Sequence, residues 1–409
     1  MNDLKSLFKL VWKRFSVWIG LLAIFTLLIN GLGARDRINR FEDSLTNTVD
    51  IMASDLGVEP LKINGKFNKQ DIEKSDEIFN KFQKKYDIKF AEVDDYGYYA
   101  NMYDEGQEDL DYDLMNQASM YKSAKDFISE KGMADSYYRS SLFAPIVFFV
   151  AIIGILITSI EQSFPYYEFT TMLPWKKRDE VWMKALIVFG LGALVYFINL
   201  AVISLILSTS RLANIVSLPN IGAISAQMIA FILASSILVV ATGMIAGNFL
   251  GHIGMLIVSV GGLELIWQNI RVFISVIFDL GNTGIDQNYE AFINGVNPFL
   301  KPFLSLLHAK ASYPEVLAYL IIAILWAMLA YVVSQKLSGE KSGYMIISSP
   351  IEKIVKVLGI LSFTSLFYVI ISDTIFGTSS VILNLAIYIL GLLISIKLFD
   401  ILFKIRLKF

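Results

Sequence analysis

The chain has 409 residues, 55% hydrophobic and 18% charged, with no cysteine and a formal net charge of −2. Soluble domains carry roughly 25% charged residues, whereas here residues 144–160, 185–207 and 318–333 hold no Asp, Glu, Lys or Arg at all. Blocks near the ~20 residues that a helix needs to cross a bilayer core exclude a soluble enzyme or a disordered chain, and 35 Lys+Arg against 37 Asp+Glu exclude a basic nucleic-acid binder.

From the N-terminus, Leu4, Leu7, Phe8, Val11 and Phe15 fall on one helical face and Lys5, Lys9 and Lys13 on another. Such a helix, with Trp12 at its edge, is expected to lie in the membrane interface, apolar face in lipid and lysines near headgroups. The first span follows at 15–32. Its basic start and the small-residue stretch Asn30 to Ala34 also fit a signal peptide; a retained anchor is the expectation. Segment 33–140 is the one large polar region, with 15 basic and 23 acidic residues. Its length suits a small extracytoplasmic α or α+β domain. Residues 35–56 read as helix, and Phe79, Phe82 and Tyr86 share a helical face. Ile88 to Val93 alternates as a strand, and Asp94-Asp95-Tyr96-Gly97 reads as a turn. The run Asp94–Asp113 holds eight acids but lacks the glycine and closing Glu of a calcium loop. A solvated acidic face is the plainer reading.

Seven further apolar stretches, at 141–160, 185–207, 223–247, 251–278, 315–334, 355–372 and 380–399, bring the count to about eight transmembrane helices. The fold class expected is therefore an all-α polytopic membrane protein. An even count puts both termini on one side. The segments sharing that side hold 16 Lys+Arg, against three in the short segments opposite (Arg211, Lys301, Lys310). By the positive-inside rule both termini are cytoplasmic and 33–140 lies outside the cell membrane. The chain then divides into 1–32, the interfacial helix and first span; 33–140, the outer domain; 141–334, a core of spans two to six; and 335–409, two added spans.

Chemistry-bearing motifs are few. Without cysteine there is no thiol nucleophile, iron–sulfur cluster or cysteine zinc site. Two histidines, His252 and His308, stand too far apart in sequence to suggest a metal centre. Gly339-Glu340-Lys341-Ser342 lacks the leading glycine and Gly-Lys pair of a phosphate loop. The chain is thus expected to be no enzyme and to hold no cofactor of its own.

The informative segment is the loop 161–184. Pro174 ends one short helical candidate and can open the next. Tyr166, Tyr167, Phe169, Trp175 and Trp182 offer the flat surfaces enriched at interfaces. An ordinary positive-inside loop with interfacial tryptophans is the alternative. Glu161 at the end of span two, Glu168 before Leu173-Pro174, then Arg178, Glu180 and Lys184 leading into span three resemble the ABC-2 family of transporter permeases. The layout resembles a larger eight-span bacterial subgroup, and Ser334 to Ile346 is similar to its signature after span six. The resemblance implies that Glu161, Glu168, Leu173, Pro174, Trp175, Arg178, Glu180 and Lys184 couple to a cytoplasmic ABC ATPase that binds ATP and Mg. It also implies that the N-terminal residues Leu4, Lys5, Phe8, Val11 and Trp12 touch that ATPase, that a second permease, identical or homologous, completes the assembly, and that Asn297-Pro298-Phe299-Leu300 belongs to short re-entrant helices.

Span five carries Glu264 and Arg271, seven apart and so on nearly one face. They read as pathway or gate residues; otherwise the span breaks near here, or the two satisfy each other or a neighbouring helix structurally. Gly243, Gly247 and Gly251 recur every four residues, a spacing that lets helices approach closely; His252 beside them reads as a capping or interface residue. Two functions from different classes remain. One is an exporter permease for an amphipathic peptide, antibiotic or lipid-like molecule. The other is a membrane sensor or scaffold reading the envelope through 33–140. A secondary transporter would want more intramembrane acids and an internal repeat.

Overall fold

The computed structural model describes residues 2–61, 63, 65–88, 90–93, 99–101, 112–129, 131–164, 177–278, 292–293, 295–304, 312–335, 343–372 and 380–407. Among these residues the chain is helical apart from one two-stranded hairpin. Its main elements are α1 (Asn2–Asp55), α2 (Lys69–Lys85), β1 (Phe90–Val93), β2 (Tyr99–Asn101), α3 (Tyr112–Ser129), α4 (Lys131–Ile155), α5 (Lys177–Thr209), α6 (Ile221–Ile245), α7 (Phe249–Phe278), α8 (Tyr313–Ser334), α9 (Ser349–Val369) and α10 (Val381–Leu402). Among the described residues seven helices are long and apolar enough to cross a membrane, or eight if the bent α7 is taken as one span. This is a multi-pass membrane protein.

The chain forms two compact units. The first comprises 1–20, 147–193 and 227–409; the second comprises 21–146 and 194–226.

α1 runs without a break from Asn2, in the first unit, to Asp55, in the second. Its 54 residues are well over twice the ~20 that a bilayer core requires. The residues expected to form an interfacial helix and those expected to begin the outer domain are therefore parts of one helix with the first span. α2 opens on a capping box, with the Asn68 side chain accepting from the Asp71 N–H and Asp71 returning the bond. Its buried face, Ile78, Phe79 and Phe82, meets Tyr121 of α3, the Phe79 and Tyr121 rings lying 4.7 Å apart. Phe41 stacks on Phe127 at 4.3 Å. β1 pairs antiparallel with β2, Phe90 opposite Asn101, with a bulge before Val93–Tyr99. Tyr86 caps α2 and its ring packs on Phe82. Arg211 fastens the 194–226 segment to this core, donating to the Gly65 and Ile63 carbonyls and lying over the Phe67 ring. The turn 94–97 and most of the acidic run lie outside the described residues, as does His308.

In the first unit α4 continues through a π-helical turn, Leu156–Ile160, and closes at Glu161–Ser163. The Thr158 hydroxyl bonds back to the Gly154 carbonyl, which loosens the regular ladder there. Hydrogen bonding continues through α7, yet the axes of its halves, Phe249–Gly261 and Leu263–Ile277, meet at 86°. Adjacent glycines at 261 and 262 carry no side chain to stiffen the turn, a recognised cause of sharp kinks. α8 starts at Ser312, whose N–H is held by Glu315 Oε2 at 2.9 Å, with Pro314 in the first turn. α9 and α10 pack as a hairpin, with Thr364 donating to Ser395 and Lys356 paired to Asp400.

Candidate functional site

The loop expected to carry coupling enters and leaves the first unit through a buried group of charges. Glu161, 2% exposed, is the last acid of the α4 extension. Its Oε1 accepts from Arg14 of α1 at 2.5 Å and its Oε2 from Lys184 Nζ at 2.8 Å. Lys184, fully buried two turns into α5, also donates to Glu180 Oε1 one turn earlier, at 2.7 Å. Two acids and two bases thus neutralise one another, with Glu161, Glu180 and Lys184 buried and Arg14 part-exposed. A lone charge in such a place is very costly, and a closed set of hydrogen-bonded pairs is what makes its burial tolerable. The pattern follows from helix geometry. Glu180 and Lys184 stand four apart on one face, and the π turn before Glu161 shifts the register of the residues that follow it.

Of the residues predicted for coupling, the structure brings together Glu161, Glu180 and Lys184 and adds Arg14. Nothing local in the sequence distinguishes Arg14 from Lys13 beside it. Glu168, Leu173, Pro174 and Trp175 lie outside the described residues, and so does the side chain of Arg178. Trp182 is exposed on α5. In the N-terminal stretch Leu7, Val11, Phe15 and Ile19 form the buried stripe, while Lys5, Phe8 and Trp12 face outward and Leu4 is half-buried. Phe8 and Trp12 stack at 6.0 Å. The helix therefore has two apolar faces, one against protein and one outward.

A second cluster lies where α6 turns into α7. His252, fully buried, donates from Nε2 to the Val239 carbonyl at 2.8 Å, leaving Nδ1 as acceptor for Ser159 Oγ at 2.9 Å. Asn248 caps α7, its Oδ1 accepting from the Gly251 N–H and its Nδ2 donating to the Gly343 carbonyl. Segment 343–347 pairs with the turn: Gly247 N–H donates to Met345 O, Gly343 N–H donates to Gly247 O, and Ala246 bridges Ile346. Leu407 N–H in turn reaches the Gly343 carbonyl. The three glycines at four-residue spacing are thus not one helix stripe, since Gly243 ends α6, Gly247 sits in the turn and Gly251 opens α7. Gly243 and Gly251 each make a close approach of their own. A Cβ on Gly243 would come within 2.2 Å of Thr158 Oγ1, and one on Gly251 within 1.8 Å of the Met345 carbonyl oxygen.

Glu264 and Arg271 stand on the half of α7 that follows the bend, both half-buried. Glu264 comes directly after the break. Between α4, α6, the bend of α7 and the start of α8 lies a cavity of about 380 Å³, lined by apolar side chains and by the Ser235–Tyr319 hydroxyl pair. Among the described residues no group of three or more His, Cys, Asp or Glu could hold a metal ion. No family model, curated protein or solved structure matches the chain.

Proposed function

We propose that this chain is the membrane-spanning permease subunit of an ABC-type exporter, driven by separate ATPase subunits and paired with a second permease. In this reading the protein sits in the cell membrane with both termini in the cytoplasm and the polar segment 33–140 outside. ATP and Mg are bound by the partner, and no covalent chemistry occurs in this chain. What supports the reading most is the buried group Arg14, Glu161, Glu180 and Lys184. A loop that transmits force has to be anchored stiffly at both ends, and here the acid closing span two is clamped to the base opening span three and to the N-terminal helix. Movement of 165–176 by a docked motor would then displace three helices together rather than bend the loop. Biasing a bundle with two arrangements requires such differential contact. The cargo class that suits an apolar helical bundle is an amphipathic peptide, antibiotic or lipid-like molecule.

The test is co-purification. Tagged full-length protein, extracted from its own cells in mild detergent, is expected to bring down an ATP-hydrolysing subunit. Glu168→Ala combined with Pro174→Ala is expected to lose that subunit while the thermal transition of the permease stays in place. A complex with no ATPase, together with a signalling output that depends on 33–140, would overturn the transporter reading in favour of a sensor.

A further inference from the structure

The cavity in the first unit has no role in the clamp just described. Its walls come from α4 (Val150, Ala151), α6 (Leu238, Val239) and the bend of α7 (Val260, Gly261). These residues belong to the apolar windows of membrane helices, so what meets the cavity in place is hydrocarbon rather than water. Water would not fill it, because a buried water needs two to four polar partners. The walls offer one hydroxyl pair, Ser235 Oγ and Tyr319 Oη, already bonded to each other at 3.2 Å. Apolar cavities of this kind stay dry and accept apolar molecules. About 380 Å³ stands at the lower end of ligand sites and could not take a peptide helix 10–12 Å across. Ile257 is strongly exposed while Val150, Leu238 and Val239 are buried, so the space runs inward from a rim open to the membrane.

We propose that this cavity binds a single acyl chain of a membrane phospholipid, taken in past Ile257 and packed against the bend of α7 at Gly261. Apolar contact and width select the occupant, while the Ser235–Tyr319 pair closes on itself. The site stands whether or not an ATPase partners the chain.

The experiment uses the full-length protein in phosphatidylethanolamine–phosphatidylglycerol vesicles doped with a phospholipid carrying a mid-chain diazirine. After photolysis, labelled peptides are mapped by mass spectrometry. Labelling is expected to concentrate on 147–151, 235–239 and 256–265, above the outward faces of α10 such as Ile382 and Leu393. Ala151→Phe, which fills the cavity from α4, is expected to cut that labelling about tenfold, equivalent to ~1.4 kcal/mol of binding. Should that variant not fold, Val260→Phe fills the space from the opposite wall with the same expected loss. Tyr319→Phe leaves the apolar walls in place and is expected to retain the label. Labelling no denser at the cavity than on α10, or unchanged by either filling variant, would overturn the proposal. So would removal of the label by free palmitate but not by unlabelled phospholipid, which would assign the site to a free amphiphile.

Discussion

The two units use opposite solutions to the problem of placing charge. Around α2 and α3 an aromatic core of Phe67, Phe79, Phe82, Tyr121 and Phe127 is buried, and two ion pairs stand at its edge. Lys85–Asp55 and Lys125–Asp76 both keep part of each side chain in water. In the other unit Glu161 and Lys184 are hidden completely and answered by Arg14 and Glu180. Where water is at hand a pair adds little, because solvent screens it and would have hydrated each partner anyway. Away from water each charge exists only by virtue of its partner, so breaking one pair strands the other. The core around α2 and α3 should therefore be sensitive to its rings and indifferent to these two edge pairs, and the unit holding Glu161 and Lys184 should be sensitive to its charges and to close backbone contact.

Lys184→Met puts the sharpest strain on that contrast. It leaves Glu161 and Glu180 buried with one partner fewer, and about 3–5 kcal/mol of stability should disappear in denaturant unfolding of detergent-solubilised protein. Next is Gly251→Ala, whose methyl would collide with the Met345 carbonyl. Overpacking of this sort costs about 1–3 kcal/mol, readable as a lower transition temperature, and a site that accepted alanine freely would deny the close contact. Smaller again is Tyr121→Phe, which removes the hydrogen bond to Asp76 Oδ1 at 2.9 Å, worth about 1 kcal/mol near neutral pH. Burial first, and the Asp76 carboxylate second, push the Tyr121 phenol up from its ordinary value. A group whose folded pKa lies above its unfolded pKa of ~10 supplies stability below that pH and loses it as pH climbs further. The wild type should thus lose stability above pH ~10 more steeply than Tyr121→Phe, and equal slopes would contradict the assignment. The least effect is expected from Lys85→Met. The Asp55 hydrogen bond holds the Lys85 ammonium above its ordinary pKa, yet the side chain stands in solvent, and unfolding curves of variant and wild type should overlay.

Periodicity made much of this legible. The apolar windows stand out because a bilayer demands their length, and Phe79 and Phe82 declare the buried face of α2 by spacing alone. The α1 continuity was not legible, since Gly31, Gly33 and the charges beyond them read as a boundary although each is tolerated inside a helix. A break near Glu264 and Arg271 was one of the readings their charges allowed, but its sharpness was not legible, since Gly261-Gly262 in an apolar run does not fix how far the span turns. The site divides in the same way. Glu180 and Lys184 announce themselves at helical spacing, and Glu161 stands out at the end of an apolar block. Arg14 lies 147 positions away along the chain, a distance over which spacing carries no information. The three glycines misled for a related reason: their four-residue repeat crosses a chain turn at 246–248, where it stops describing a face.

A double-mutant cycle across Glu161 and Lys184 bears most directly on the clamp. Glu161→Gln, Lys184→Met and the double variant would be unfolded in the same detergent and their stability losses compared. The double variant should lose less than the sum of the single losses by at least ~1 kcal/mol, within the 0.5–3 kcal/mol typical of coupled contacts. Losses that add to within ~0.5 kcal/mol would mean the two charges do not hold the ends of the loop together.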